Sequence, residues 1–140
     1  MKPSLMHQPK PNILIVDDDL VYRFAATKTI AATGLAEKIE ECNNGLEALN
    51  FLKENMQQRQ NLPDVIFLDI NMPTMDGWEF LTAFENIVAQ FSKTIHIYMV
   101  TSSIDKHDIQ RSKEFASVSD YLVKPIFKET FSKILKAVHV

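Results

Sequence analysis

A chain of 140 residues, 46% apolar and 24% charged, is long enough to bury one core and short for two. Its formal net charge of −3 argues against nucleic-acid binding through a basic face. No apolar run approaches the roughly 20 residues of a membrane span, and the single cysteine, Cys42, points to a reducing compartment. A soluble, cytoplasmic protein with no nucleic-acid or membrane partner is therefore expected.

In chain order, residues 1–11 are polar, carry three prolines and lack a signal-peptide core, so they read as a flexible tail ahead of one domain over 12–140. Ile13 to Val16 is a short aliphatic run that reads as a buried strand, ending in Asp17-Asp18-Asp19. A helix begins near Leu20, with Asp18 or Asp19 as its cap. Lys38 to Cys42 is a weaker strand, with Cys42 a small buried hydrophobe near its end. Asn43-Asn44-Gly45 signals a turn and a helix start, and Leu46, Leu49, Leu52 and Met56 follow at helical spacing. After a polar stretch from Glu54 to Asn61, Val65 to Leu68 reads as a strand ending in Asp69. Asp76-Gly77 opens another helix, with Leu81, Phe84, Val88 and Phe91 on one face and Trp78 as a packing or surface aromatic. Ile95 to Val100 is a strand followed by Thr101-Ser102-Ser103. The next helix, about Ile104 to Phe115, is dominated by Asp105, Lys106, Asp108, Gln110, Arg111 and Lys113. A weak strand, Tyr121 to Val123, runs into Lys124-Pro125. The last helix shows Phe127, Phe131, Ile134, Leu135 and Val138 on one face.

Five apolar strands alternating with five helices imply an α/β fold, a doubly wound parallel sheet covered on both faces. Such a sheet places its functional crevice outside the carboxyl ends of the strands, where strand order reverses. Asp17, Asp18, Asp69, Thr101 and Lys124 all stand at strand ends, so one crevice should gather them. Each has an ordinary reading alone: a helix cap, a loop aspartate, a surface hydroxyl, a solvated amine. Together they carry complementary chemistry. Two carboxylates about 4 Å apart repel by roughly 4 kcal/mol at a surface dielectric, or about 3 pKa units. A cation among them, or protonation, is needed to relieve this. Carboxylate and carbonyl oxygens suit Mg²⁺. A free carboxylate, a metal, a lysine and a hydroxyl are the parts that phosphoryl transfer requires. The four histidines are scattered, and none pairs with Cys or Glu at metal-ligand spacing.

The segments Ile13-Leu-Ile-Val-Asp-Asp-Asp19, Asp69-Ile-Asn-Met-Pro-Thr-Met-Asp-Gly77, Met99-Val-Thr-Ser-Ser103 and Tyr121-Leu-Val-Lys-Pro125 resemble the receiver domain of two-component response regulators. The resemblance runs from about Asn12 to the C-terminus. It implies a flavodoxin-like strand order of 2-1-3-4-5 and a phosphoacceptor at Asp69. It implies Mg²⁺, or Mn²⁺, held by Asp17, Asp18, Asp69 and the Asn71 backbone carbonyl. Lys124 and Thr101 would contact the phosphoryl oxygens, Thr101 and Tyr121 would form the switch, and Pro125 would follow a cis peptide bond. A histidine kinase or histidine phosphotransfer protein would be the donor. With no output domain after Lys124-Pro125, a stand-alone regulator is expected. It would signal through the fourth helix, fifth strand and fifth helix, or by onward phosphotransfer. It would catalyse only its own phosphorylation and dephosphorylation.

Two other readings remain. Asp17-Asp18-Asp19-Leu20-Val21 also fits the Asp-x-Asp-x-Thr/Val pattern of haloacid-dehalogenase-type phosphatases, whose nucleophile would be Asp17. The chain is short for that family, and no later acidic motif supplies the metal. A pseudo-receiver that never turns over phosphate is the second. The aspartate that carries the phosphoryl group, Asp69 or Asp17, separates the phosphatase reading, and Mg²⁺ affinity with phosphorylation by a small phosphodonor separates the pseudo-receiver.

Overall fold

A computed structural model describes residues 9–140. Five strands alternate with five α-helices: β1 (Ile13–Val16), α1 (Leu20–Thr33), β2 (Ile39–Cys42), α2 (Gly45–Glu54), β3 (Val65–Asp69), α3 (Gly77–Ile87), β4 (His96–Thr101), α4 (Lys106–Ser112), β5 (Val118–Val123) and α5 (Lys128–Ala137). A 3₁₀ turn, Val88–Gln90, follows α3. The strands form one parallel sheet in the order β2-β1-β3-β4-β5. This is the flavodoxin-like arrangement, with strand order reversing around β1 and β3. Of the expected tail over 1–11, residues 1–8 lie outside the described residues. Pro11 is buried, and its carbonyl accepts from the Glu37 backbone N–H at 2.8 Å.

Successive strand residues point to opposite faces, and here both faces are covered. Leu14, Val16, Ile66 and Leu68 join Leu49 and Leu52 of α2 and Phe80, Leu81 and Phe84 of α3 in one core. Ile13, Ile15, Val65 and Phe67 join Ala26 and Ile30 of α1 and Phe131, Ile134 and Leu135 of α5 in the other. That is why β1 and β3 read as unbroken apolar runs rather than alternating ones. Each large aliphatic side chain buried this way contributes roughly 1.5–3 kcal/mol. The two cores clamp the central strands and so fix the positions of the residues that follow them.

Local chemistry sets the helix ends. The Asp19 side chain, not that of Asp18, caps α1 by accepting from the Val21 and Tyr22 N–H groups. Asn44 caps α2, and Asp76 and Glu79 form a reciprocal capping box on α3. Several apolar faces differ from the expected ones. Leu46 is 39% exposed, because Ala48, Leu49 and Leu52 form the inner face of α2; Met56 falls beyond the helix end. Phe127 is 65% exposed at the start of α5, where only its carbonyl is used, accepting from Thr130 and Phe131. β5 begins at Val118, three residues before the apolar run, because Ser119 and Asp120 lie on an exposed edge strand.

The helix expected over Ile104 to Phe115 contracts to α4, in which only Ser112 is buried. Two contacts to α3 hold this segment. The Arg111 guanidinium lies 4.5 Å from the Trp78 ring centroid, and Phe115 stacks on Trp78 at 6.1 Å. Trp78 itself is buried, 7% exposed. The Glu85 carboxylate accepts from the Ser117 N–H at 2.9 Å and from its hydroxyl. Among the described residues, no helix is long and apolar enough to cross a membrane.

Candidate functional site

Parallel register carries the strand ends to one edge. Val16 pairs with Leu68, so Asp17, just after β1, stands beside Asp69, the last residue of β3. Thr101 ends β4, and its carbonyl accepts from the Lys124 N–H at 2.7 Å, just beyond β5. Asp17, Asp18 and Asp69 each offer a carboxylate oxygen, and all three oxygens lie within 4.8 Å of one another. Asp17 and Asp69 are buried, whereas Asp18 is exposed.

The charges are arranged unequally. Both oxygens of Asp17 are engaged: Oδ1 accepts from the Asp19 N–H at 2.9 Å, and Oδ2 takes Lys124 Nζ at 2.7 Å. Asp69 Oδ1 accepts from the Ile70 N–H at 2.8 Å, and among the described residues no donor reaches Oδ2. Burial first, then the charge of Asp17, pushes the Asp69 carboxyl up to about 6. Lys124 and the Ile70 N–H pull the other way, and Asp18 adds to the rise. The repulsion anticipated from the sequence is present, but burial outweighs it. An oxygen-only cluster of three carboxylates, one of them resisting ionisation, matches the donor set of a hard divalent cation.

The loop after β3 is built tightly. A Cβ on Gly77 would meet the Asp69 carbonyl oxygen at 2.5 Å and Ile70 Cα at 3.0 Å, so only glycine fits, and its N–H donates to the Ile70 carbonyl at 2.8 Å. Thr74 takes a left-handed φ of 70°, unusual for a β-branched residue. The Gly45 N–H donates to the Met75 carbonyl at 3.0 Å, pinning the loop to the start of α2. Asn71 is exposed on this loop, and Met72 is buried.

Thr101 is buried, with its hydroxyl 3.5 Å from the Ser103 N–H. Tyr121 is half-buried, and its hydroxyl lies close to the Thr101 side chain without a well-formed hydrogen bond to any described residue. The Lys124–Pro125 peptide is cis. Cys42 is buried at the end of β2; burial, with Glu47 and Glu40 nearby, pushes its thiol up to about 12, which makes it inert.

Two neighbours of the site escaped the sequence reading. Arg23 is buried on α1. It donates to the Asp17 carbonyl at 2.6 Å and pairs with Glu41 at 3.0 Å, so it braces the backbone that carries the acidic pair. Tyr22 presents its ring to Lys124, with Nζ 4.0 Å from the centroid. Burial, then the charges of Asp17 and Asp69, hold its phenol well above the ordinary value. Neither role leaves a spacing signal, since both depend on how α1 lies against the strand ends.

The family profile for the response regulator receiver domain matches residues 13–137. The chain is 31% identical over 126 residues to the sensor histidine kinase CheAY of Helicobacter pylori; the match covers 89% of this chain and 14% of the kinase. Like that relative, several curated proteins it matches are much longer than the segment shared with it. The crystal structure of a two-component response regulator from Cytophaga hutchinsonii superposes with a TM-score of 0.82 at 27% identity, covering 91% of this chain and 96% of that one. The receiver domain of the histidine kinase CKI1 from Arabidopsis thaliana, solved in complex with Mg²⁺, superposes with a TM-score of 0.72 at 26% identity, covering 81% and 83%.

Proposed function

Because this chain belongs to the response regulator receiver domain family, a signalling family, we propose that it accepts a phosphoryl group on Asp69 from a phosphohistidine donor and passes the signal on by protein contact or onward phosphotransfer. The observation that carries this reading is the Asp69 carboxylate: buried, with a free Oδ2, among three carboxylates and beside a lysine. Asp69 attacks phosphorus, the phosphorus–nitrogen bond of the donor breaks, and the imidazole leaves with the electron pair. Asp17, with both oxygens already engaged, is the poorer nucleophile.

Asp17, Asp18 and Asp69, with the Asn71 backbone carbonyl, would hold Mg²⁺ or Mn²⁺. A divalent cation there supplies charge neutralisation for the incoming phosphoryl oxygens. Lys124 carries positive charge to the same oxygens, and the Thr101 hydroxyl donates to one of them. The phosphoryl group brings a charge of about −2 and three acceptor oxygens. Thr101 moves toward them, and Tyr121, whose hydroxyl lies close to the Thr101 side chain, follows into the vacated space. The output surface is α4, β5 and α5. The thin anchoring of α4, one buried residue and a few contacts to Trp78, supports a shift there at small cost. The domain spans 12–140, the donor is a histidine kinase or phosphotransfer protein, and the compartment is the cytoplasm.

The test is incubation with Mg²⁺ and acetyl phosphate, followed by mass spectrometry. The modification should sit on Asp69 and vanish in Asp69→Asn. A label on Asp17 would favour the phosphatase reading, and Mg²⁺ binding without any label would favour a pseudo-receiver.

A further inference from the structure

Among the described residues, the lysine of this site has two partners, and only one is a charge. Its stem leaves the end of β5, and its side chain is 19% exposed. The ammonium lies 2.7 Å from Asp17 Oδ2 on one side and 4.0 Å from the centroid of the Tyr22 ring on the other. A lysine side chain has four flexible carbons and a strongly hydrated head. Held by Asp17 alone, it would compete for that carboxylate with any divalent cation bound there, and the loser would go to solvent. An aromatic face is a partner that such a cation on Asp17 does not take away.

Tyr22 is well placed to be that partner. It sits in the first turn of α1, where its own N–H is held by the Asp19 cap at 3.1 Å. Its ring packs against the core between the sheet, α1 and α5. A groove of about 450 Å³, lined by Tyr22, Ala26, Lys124, Pro125 and Phe131 among others, runs up to the pair between α1 and α5. The ring is therefore open on that side rather than wedged into the core, and its face is spent on Lys124.

We propose that Tyr22 is the positioning residue for Lys124: its ring face keeps the ammonium at the mouth of the acidic crevice, so that the charge reaches a phosphoryl group on Asp69 rather than water. This rests on the reading of Asp69 as phosphoacceptor. Tyr22 touches no reacting atom, and the contact needs the ring but not the hydroxyl.

The experiment compares the whole chain with Tyr22→Phe, Tyr22→Leu and Tyr22→Met. Two readouts are taken: the rate of labelling by acetyl phosphate with Mg²⁺, and the NMR shifts of the Lys124 ε-methylene protons in the metal-free protein. The ring face should shift those protons upfield in the unchanged protein and in Tyr22→Phe, and the shift should vanish in the leucine and methionine variants. Labelling should slow about fivefold in both ringless variants and stay within about twofold in Tyr22→Phe. If Tyr22→Leu misfolds, the unbranched Tyr22→Met carries the comparison. Labelling at the unchanged rate without the ring, or a phenylalanine variant as slow as leucine, overturns the proposal alone. If the unchanged protein takes no label while the upfield shift is present, the phosphoacceptor reading fails and this proposal falls with it.

Discussion

Replacing Asp69 with asparagine should make the metal-free protein more stable, and by an amount that depends on pH. The Asp69 carboxyl is raised from 3.8 to about 6, chiefly by burial and then by Asp17. At roughly 1.4 kcal/mol per pH unit, ionising it in the folded state costs at most about 3 kcal/mol. Water at the open rim, where Asp18 is exposed, reduces this to about 1–2 kcal/mol. The sign follows from the direction of the shift. Below pH 3.8 the group is protonated in folded and unfolded chains alike and costs nothing. Between pH 3.8 and 6 the unfolded chain ionises while the folded chain keeps its proton, so stability is lost progressively across that window and the full penalty stands above pH 6. Asparagine has no charge to ionise, and its side-chain oxygen retains the Ile70 N–H bond. Urea denaturation with a chelator present, at pH steps from 4.5 to 8, measures the difference. With an m-value of about 2 kcal/mol/M, the Asp69→Asn midpoint should lie about 0.5–1 M higher at pH 7.5, with the gap closing toward pH 4.5. A variant no more stable than the unchanged protein at pH 7.5, or a gap that is flat with pH, would refute the reasoning.

Mg²⁺ should reverse that penalty: at a hundredfold excess over its dissociation constant it should stabilise the unchanged protein by about 2.7 kcal/mol in thermal melts, and much less in Asp18→Ala. Asp19→Ala removes the acceptor for the Val21 and Tyr22 N–H groups and should cost about 1 kcal/mol, a fall of about 3–4 °C in Tm by calorimetry. Gly77→Ala drives a methyl group into the backbone of Asp69 and Ile70; urea titration should show a loss of about 1–3 kcal/mol, with slower labelling of Asp69. Arg111→Ala releases α4 from Trp78. Hydrogen exchange should quicken over residues 106–115 and Trp78 emission should change, while global stability falls by less than about 1 kcal/mol.

Much of this protein was legible along the chain, because the relevant forces act over a few residues or along one element. Ile13 to Val16 and Val65 to Leu68 are apolar throughout because both sheet faces are covered, and that pattern marks a parallel sheet without further information. Asn44 and Asp76 announce helix starts because the backbone N–H groups they cap lie within three residues. The strand-end rule then brings Asp17, Asp69, Thr101 and Lys124 to one edge. What the chain alone left open concerns faces and partners. Leu46 and Phe127 stand outside their expected faces because the orientation of a short helix is set by what it packs against. Trp78 becomes the anchor of α4 only because the fold brings the start of α3 against Arg111 and Phe115. The raised carboxyl of Asp69 comes mainly from burial, a property of the assembled fold. Lys124 meets Asp17 across 107 residues of chain, with the Tyr22 ring on its other side. No local pattern encodes that contact, because strand order, register and the lie of α1 against the sheet decide it together.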